Sequence, residues 1–167
     1  MAQTFASFAP DQQVNVAEFA VAREAGTLST LGLGSCIALM LYDEIGRVGA
    51  MAHILLPHEA LSRERSHPAK FASTAVPLLA RELQLAGAVG APVAKLVGGA
   101  SMFGTLLATG GVNMGERNIL ASRRALAAAQ IPLVAEDVGG DYGRSVYFDV
   151  ATGVVRVASI RHGTRHV

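Results

Sequence analysis

The sequence predicts a single domain of the α/β (α+β) class, built on a mixed β-sheet core. Three observations predict it. Apolar runs of strand length recur along the chain, separated by glycine-rich turns. Two longer segments carry helical spacing instead. The C-terminal part folds back as a hairpin, which makes the sheet mixed rather than all-parallel. The 167 residues are enough for one domain with a substantial core. Apolar residues make up 51% and mean hydropathy is positive, so the chain is not disordered. Trp is absent and aromatics are few, so the core is built from Ala, Val, Leu and Ile.

In chain order, residues 1–13 are polar and read as a loose leader. Residues 15–22 alternate weakly as a first strand, with Val14, Val16 and Phe19 as burial candidates. Glu24-Ala25-Gly26 is a turn, and residues 27–33 form a β-branched, apolar strand that ends at glycines. Residues 36–42 form an apolar run that periodicity alone leaves open as helix or buried strand. Its length, the closing turn Asp43-Glu44-Ile45-Gly46 and the second apolar run at 48–56 favour two paired strands. Residues 57–68 are a polar surface loop of a length suited to binding.

Helical spacing then runs over residues 69–85, with Phe71, Ala75, Leu78, Leu79 and Leu83 on one stripe. Pro77 either kinks this helix or starts its second half. A short strand at 93–97 enters the second glycine turn, Gly98-Gly99-Ala100-Ser101-Met102-Phe103-Gly104, and a stretch of small residues follows at 105–113. A second helix spans residues 119–130, opened by Gly115-Glu116-Arg117-Asn118, with Ile119, Leu120, Ala125 and Leu126 inward. Residues 131–138 form a strand, and 144–150 and 154–160 a hairpin. Residues 161–167 are a basic, frayed tail. The organisation is therefore a leader, one domain at 14–160, and a tail.

Fourteen basic and 13 acidic residues give a net charge of +1, which argues for neither nucleic acid nor an anionic membrane. Glycine, proline or a charge interrupts every apolar run before the roughly 18 residues of a membrane span. The N-terminus lacks the basic start and apolar stretch of a secretory signal. A single cysteine forms no internal disulfide and excludes a multi-cysteine zinc site, so the chain is expected in the cytoplasm.

That cysteine, Cys36, is the first candidate for chemistry. Alone it is most simply a small buried hydrophobe. However, Gly34 and Ser35 precede it, and small residues allow a sharp turn that frees backbone amides. Free amides beside a nucleophile make an oxyanion hole and favour thiolate over thiol. His53 interrupts the second apolar run. It is either a core histidine bonded to a backbone carbonyl or a general base that a hairpin brings beside Cys36. Thr30, at the glycine turn, is either an ordinary strand threonine or the third group that orients an imidazole. His58, His67, His162 and His166 sit in polar contexts and read as solvated. Gly32-Leu33-Gly34 is not a dinucleotide fingerprint, because the third glycine of that pattern falls on Ile37.

Four segments in order give the chain a resemblance to the CheD family, the chemoreceptor glutamine deamidases of bacterial chemotaxis. They are residues 30–36, ending in Leu33-Gly34-Ser35-Cys36; Met51-Ala52-His53 with Leu56-Pro57; Lys95-Leu96-Val97-Gly98-Gly99-Ala100 with Met102-Phe103; and Met114-Gly115-Glu116-Arg117-Asn118, followed by Asp137-Val138-Gly139-Gly140 and Gly143-Arg144. The resemblance covers roughly residues 27–160. One departure is Phe71-Ala72-Ser73, where the family often carries an acidic residue.

The resemblance implies a layered β sandwich flanked by helices, similar to bacterial toxin deamidases. It implies a Cys–His–Thr triad at Cys36, His53 and Thr30, with backbone around Gly34, Ser35, Gly98 and Gly99 holding the oxyanion. No metal or organic cofactor is implied. The implied reaction converts receptor glutamine to glutamate through a thioester on Cys36, with ammonia released. The implied partners are the cytoplasmic domains of chemoreceptors and, in some members, a CheC-type phosphatase. An adaptor with weak catalysis is the alternative. Residues 58–67 and the helix after them are the expected receptor-facing elements.

Overall fold

The computed structural model describes residues 11–102 and 113–167. They form three layers: two five-stranded β-sheets face to face, and two helices on the outer face of the second sheet. The first sheet has the order β1 (Asp11–Gln13), β3 (Thr27–Leu33), β8 (Arg144–Asp149), β9 (Val155–Ser159), β10 (Gly163–His166). The second has the order β2 (Phe19–Arg23), β5 (Val48–Ile54), β4 (Ile37–Asp43), β6 (Val93–Gly98), β7 (Leu133–Val138). Both sheets mix parallel and antiparallel pairs, as the sequence predicts. Among the described residues no helix is long and apolar enough to cross a membrane.

The central strand β4 resolves the helix-or-strand ambiguity. Ile37, Leu39 and Leu41 face the helices, while Ala38 and Met40 face the first sheet. A strand covered on both faces has no polar side, so its sequence is an unbroken apolar run without a period. The β4–β5 turn is held by Asp43, whose carboxylate accepts from Ile45 N (3.1 Å), Val89 N (2.7 Å) and Gly90 N (3.1 Å).

The helix α1 (Ala72–Leu85) buries Ala72, Ala75, Val76, Leu79 and Leu83, spacings of three and four that form one stripe. Pro77 lies inside this helix and does not start a second one. It shares the exposed face with Ser73, so water can satisfy the Ser73 carbonyl that Pro77 leaves without a donor. The helix α2 (Met114–Ala128) begins earlier than its apolar pattern suggests, because the Asn113 side chain caps it by accepting from Glu116 N. Its buried arc is Gly115, Asn118, Ile119, Ser122 and Leu126. Leu120 falls off that arc and is 43% exposed, against expectation.

The ends differ from the sequence reading. Asp11–Gln13 is a strand rather than a loose leader, and Gly163–His166 is a strand rather than a frayed tail. Both pair through backbone groups, which polar side chains do not reveal. Residues 1–10 lie outside the described residues. Val14 is buried, but Val16 and Phe19 are 48% and 39% exposed, because the strand starts only at Phe19, on a sheet edge. Residues 57–68 form the expected surface loop, tightened by single 3-10 turns at Glu59–Leu61 and Pro68–Lys70.

Candidate active site

β3 belongs to one sheet and β4 to the other. The chain crosses between them through Gly34 and Ser35, after a register shift between Thr30 and Leu33. Bulges of this kind bend a strand and re-aim its side chains. Thr30 and Cys36 are thereby placed on opposite walls of the space between the sheets. His53 reaches the same space from β5, where it pairs with Ala38. Directly paired residues share a face, and Cys36 is one alternation before Ala38. Cys36 is thus a diagonal neighbour of His53 on the inward face, at the end of the β4–β5 hairpin.

Thr30 is fully buried and His53 is 4% exposed. The Thr30 hydroxyl donates to the Val14 carbonyl at 2.7 Å, and its Oγ1 lies 2.7 Å from His53 Nδ1. The hydroxyl has one hydrogen, and a carbonyl only accepts. With that hydrogen on Val14, Nδ1 must carry its own proton and donate to Thr30. Nε2 is then the basic nitrogen. It is buried and has no hydrogen-bond partner among the described residues, Cys36 included. Catalytic hydrogen bonds are often open before substrate binds.

Burial pushes the Cys36 thiol up from its ordinary value, while the Cys36 backbone N–H beside its own sulfur works against that rise. Burial also pushes His53 down, against a smaller upward pull from the Val14 carbonyl. Both net shifts favour thiol beside neutral imidazole. Burial thus works against the thiolate that freed amides favour.

The second glycine turn forms the floor. The Gly99 amide donates to the Cys36 carbonyl and the Ala100 amide to the Gly34 carbonyl, both at 2.8 Å. The Gly99 amide thus holds the Cys36 backbone and is not free for an oxyanion. Gly98 has φ +115°, and a Cβ there would lie 2.3 Å from the Cys36 carbonyl oxygen, so only glycine fits. Met102 Sδ borders the equivalent position on Gly34, at 3.2 Å. Phe103 lies outside the described residues.

Two buried polar residues received no role from the sequence. Arg144 donates to the carbonyls of Gly98 (3.0 Å) and Gly139 (2.5 Å), lies 3.2 Å from Asp137, and stacks on Tyr142. It ties the glycine turn to the β7–β8 connection. Asn118, on α2, donates from Nδ2 to the carbonyls of Ser35 (2.9 Å) and Leu55 (3.0 Å). The signal available for both was a polar residue within an otherwise matching motif.

His58, His67, His162 and His166 are exposed, as expected. A cleft of about 930 Å³ opens beside the glycine turn, lined by Gly32, Met102, Tyr142, Arg144, Tyr147 and Ile160 among others. Residues 58–67 do not line it.

Comparison with known proteins gives the arrangement its relatives. Residues 55–159 match the family model described as CheD chemotactic sensory transduction. A protein of Caldanaerobacter subterraneus subsp. tengcongensis is 38% identical, covering 93% of this chain and 96% of its own. One of Thermococcus kodakarensis is 41% identical, with 90% and 94% covered. Both are named "Probable chemoreceptor glutamine deamidase CheD". One of Geobacter metallireducens, "Probable chemoreceptor glutamine deamidase CheD 2", is 46% identical, with 89% and 93% covered. At that identity across nearly the whole of each chain, on a fold that brings the matching motifs to one end of the sandwich, the protein belongs to the CheD family.

Proposed function

We propose that this protein is a protein-glutamine deamidase that converts glutamines of chemoreceptor cytoplasmic domains to glutamate. The observation that carries the reading is His53, held through Nδ1 beside Thr30, with an unpartnered Nε2 on the face that bears the only cysteine. The names of the relatives supply the substrate class. The catalytic unit spans residues 14–160, flanked by β1 and β10.

In this mechanism Nε2 takes the thiol proton as Sγ attacks the carboxamide carbon. The Cys36 N–H receives the oxyanion. Collapse breaks the C–N bond, and Nε2–H gives its proton to the departing amine, so ammonia leaves a thioester. Water then attacks the thioester carbon and gives a proton to Nε2. The second collapse breaks the C–S bond, Nε2–H reprotonates the sulfur, and glutamate is released. Thr30 holds one imidazole tautomer throughout.

The test is to incubate the protein with receptor cytoplasmic fragments. Mass spectrometry should find the amide-to-acid mass gain at particular glutamines, with one ammonia released per site. Fragments that stay unmodified sink the reading.

Thr30→Val removes the hydroxyl at constant shape and leaves two buried partners unsatisfied, a cost of about 1–3 kcal/mol. If this falls on the transition state, kcat drops about 5- to 150-fold. An unchanged kcat removes Thr30 from the machinery.

The pKa directions give a pH prediction. His53 must be neutral, and its value lies below the ordinary one, so activity holds below about pH 6.5 before it falls. The Cys36 value is raised, so alkylation by iodoacetamide should be slow at neutral pH and climb only in alkaline solution. A fast alkylation plateau near neutrality would reveal a thiolate–imidazolium pair instead.

A further inference from the structure

Asn118 is fully buried within α2 and is not the capping residue, which is Asn113. Asparagine is a poor residue for a helix interior because its amide competes for backbone groups. Here the amide reaches out of the helix. Its Nδ2 bridges the carbonyls of Ser35 and Leu55, one just before the nucleophile and the other at the end of the strand bearing His53. Its Oδ1 is buried and has no hydrogen-bond partner among the described residues. An unsatisfied buried acceptor costs about 1–3 kcal/mol. The two donated bonds therefore have to outweigh that cost, and they fix which way the amide points.

The consequence for Cys36 follows from peptide geometry. The described peptides are all trans, so each C=O and the following N–H point in opposite directions. α2 packs on the helix side of the second sheet. With the Ser35 carbonyl drawn toward α2, the Cys36 N–H is turned to the opposite side. That is the side toward which β4 presents Ala38 and, one alternation earlier, Cys36. The same N–H lies beside the Cys36 sulfur.

We propose that Asn118 is a positioning residue, which sets the Ser35–Cys36 peptide so that the Cys36 N–H faces the carbonyl under attack. The proposal rests on the deamidase reading of the site. Gly115 permits the arrangement: a Cβ there would lie 2.4 Å from the Gly99 carbonyl oxygen, so only glycine lets the first turn of α2 approach this closely. Residues 114–118 thus act as a unit, with Gly115 setting the approach and Asn118 making the tie.

The test compares Asn118→Ala with wild type, with Asn118→Ser as a second variant that loses less polarity yet is too short to bridge both carbonyls. Melting curves select the variant that stays folded. Deamidation of receptor fragments should show kcat lower by about 10- to 100-fold, the scale of a small misplacement at a reacting centre, with KM unchanged. Alkylation of Cys36 by iodoacetamide develops no oxyanion and feels the Cys36 N–H only through ionisation of the thiol, so it should fall far less than kcat. Because Cys36 is the only cysteine, 15N-cysteine labelling gives one backbone amide signal in NMR, and that signal should shift. Loss of alkylation as large as the loss of kcat would assign Asn118 to stability alone and overturn the proposal. An unmoved amide signal or an unchanged kcat would also overturn it. A wild type that converts no glutamine defeats the deamidase reading, and the amide signal then still decides whether Asn118 sets the Cys36 peptide.

Discussion

Cys36→Ala is expected to remove glutamine conversion in receptor fragments altogether, at least about 10⁴-fold below wild type, while the protein stays folded. The magnitude follows from the chemistry. Without sulfur there is no thioester, and removal of a nucleophile from a cooperating group costs as much as removal of the whole group. The structural effect is small because Cys36 sits at the rim of the core, only partly buried, and alanine is tolerated beside glycine and serine. Melting temperature should therefore change little. A second measurement isolates the intermediate. Hydroxylamine added during wild-type turnover should intercept the thioester and leave hydroxamate at the modified glutamines, whereas Cys36→Ala should leave none. Equal conversion by variant and wild type would remove Cys36 as nucleophile.

His53→Ala is expected to lower kcat by about 10²- to 10⁴-fold, the range for loss of a positioned general base. The resting state explains why the loss is large. Burial holds the thiol up and the imidazole down, so little thiolate is present at neutral pH to carry the reaction once the base is gone. Residual activity in the variant should rise with pH as solvent takes over removal of the thiol proton, and the acid-side fall set by His53 in wild type should disappear. His53→Ala also leaves the Thr30 hydroxyl with Val14 as its only partner, so some loss of stability accompanies it. Thr30→Val, which keeps the base but not its orientation, separates the two contributions. Turnover by His53→Ala equal to that of wild type would defeat the assignment.

A large cleft opens beside the glycine turn. Most of residues 58–67 are exposed as expected, but the large concavity lies on the outer side of the first sheet, beginning at Gly32 and Met102. Loop composition signalled exposure. It carried no information about concavity, which arises where the outer face of the first sheet meets the turns at its end.

The sequence by itself determined the elements with strong local signatures. The β3 strand was legible because glycines end it, and the β4–β5 pair because a turn of hairpin length separates two apolar runs. The stripe of α1 was legible because its spacing repeats. Motif order along the chain also brought Cys36, His53 and Thr30 forward together. What the tertiary structure decided lies in contacts between groups far apart in sequence. β1 and β10 were missed because backbone pairing leaves no mark on side-chain polarity. The pull of burial on Cys36 and His53 was not legible, because desolvation depends on what covers a group and no local pattern records that. The contact between Thr30 and His53 became visible only in the fold, where the Thr30 hydroxyl gives its hydrogen to Val14 and its oxygen lies beside His53 Nδ1. Asn118 and Arg144 were visible as letters in motifs, but their work is to hold carbonyls of other segments. A hydrogen bond between distant residues exists only once the sheets and helices have closed around it, and packing alone sets where those residues meet.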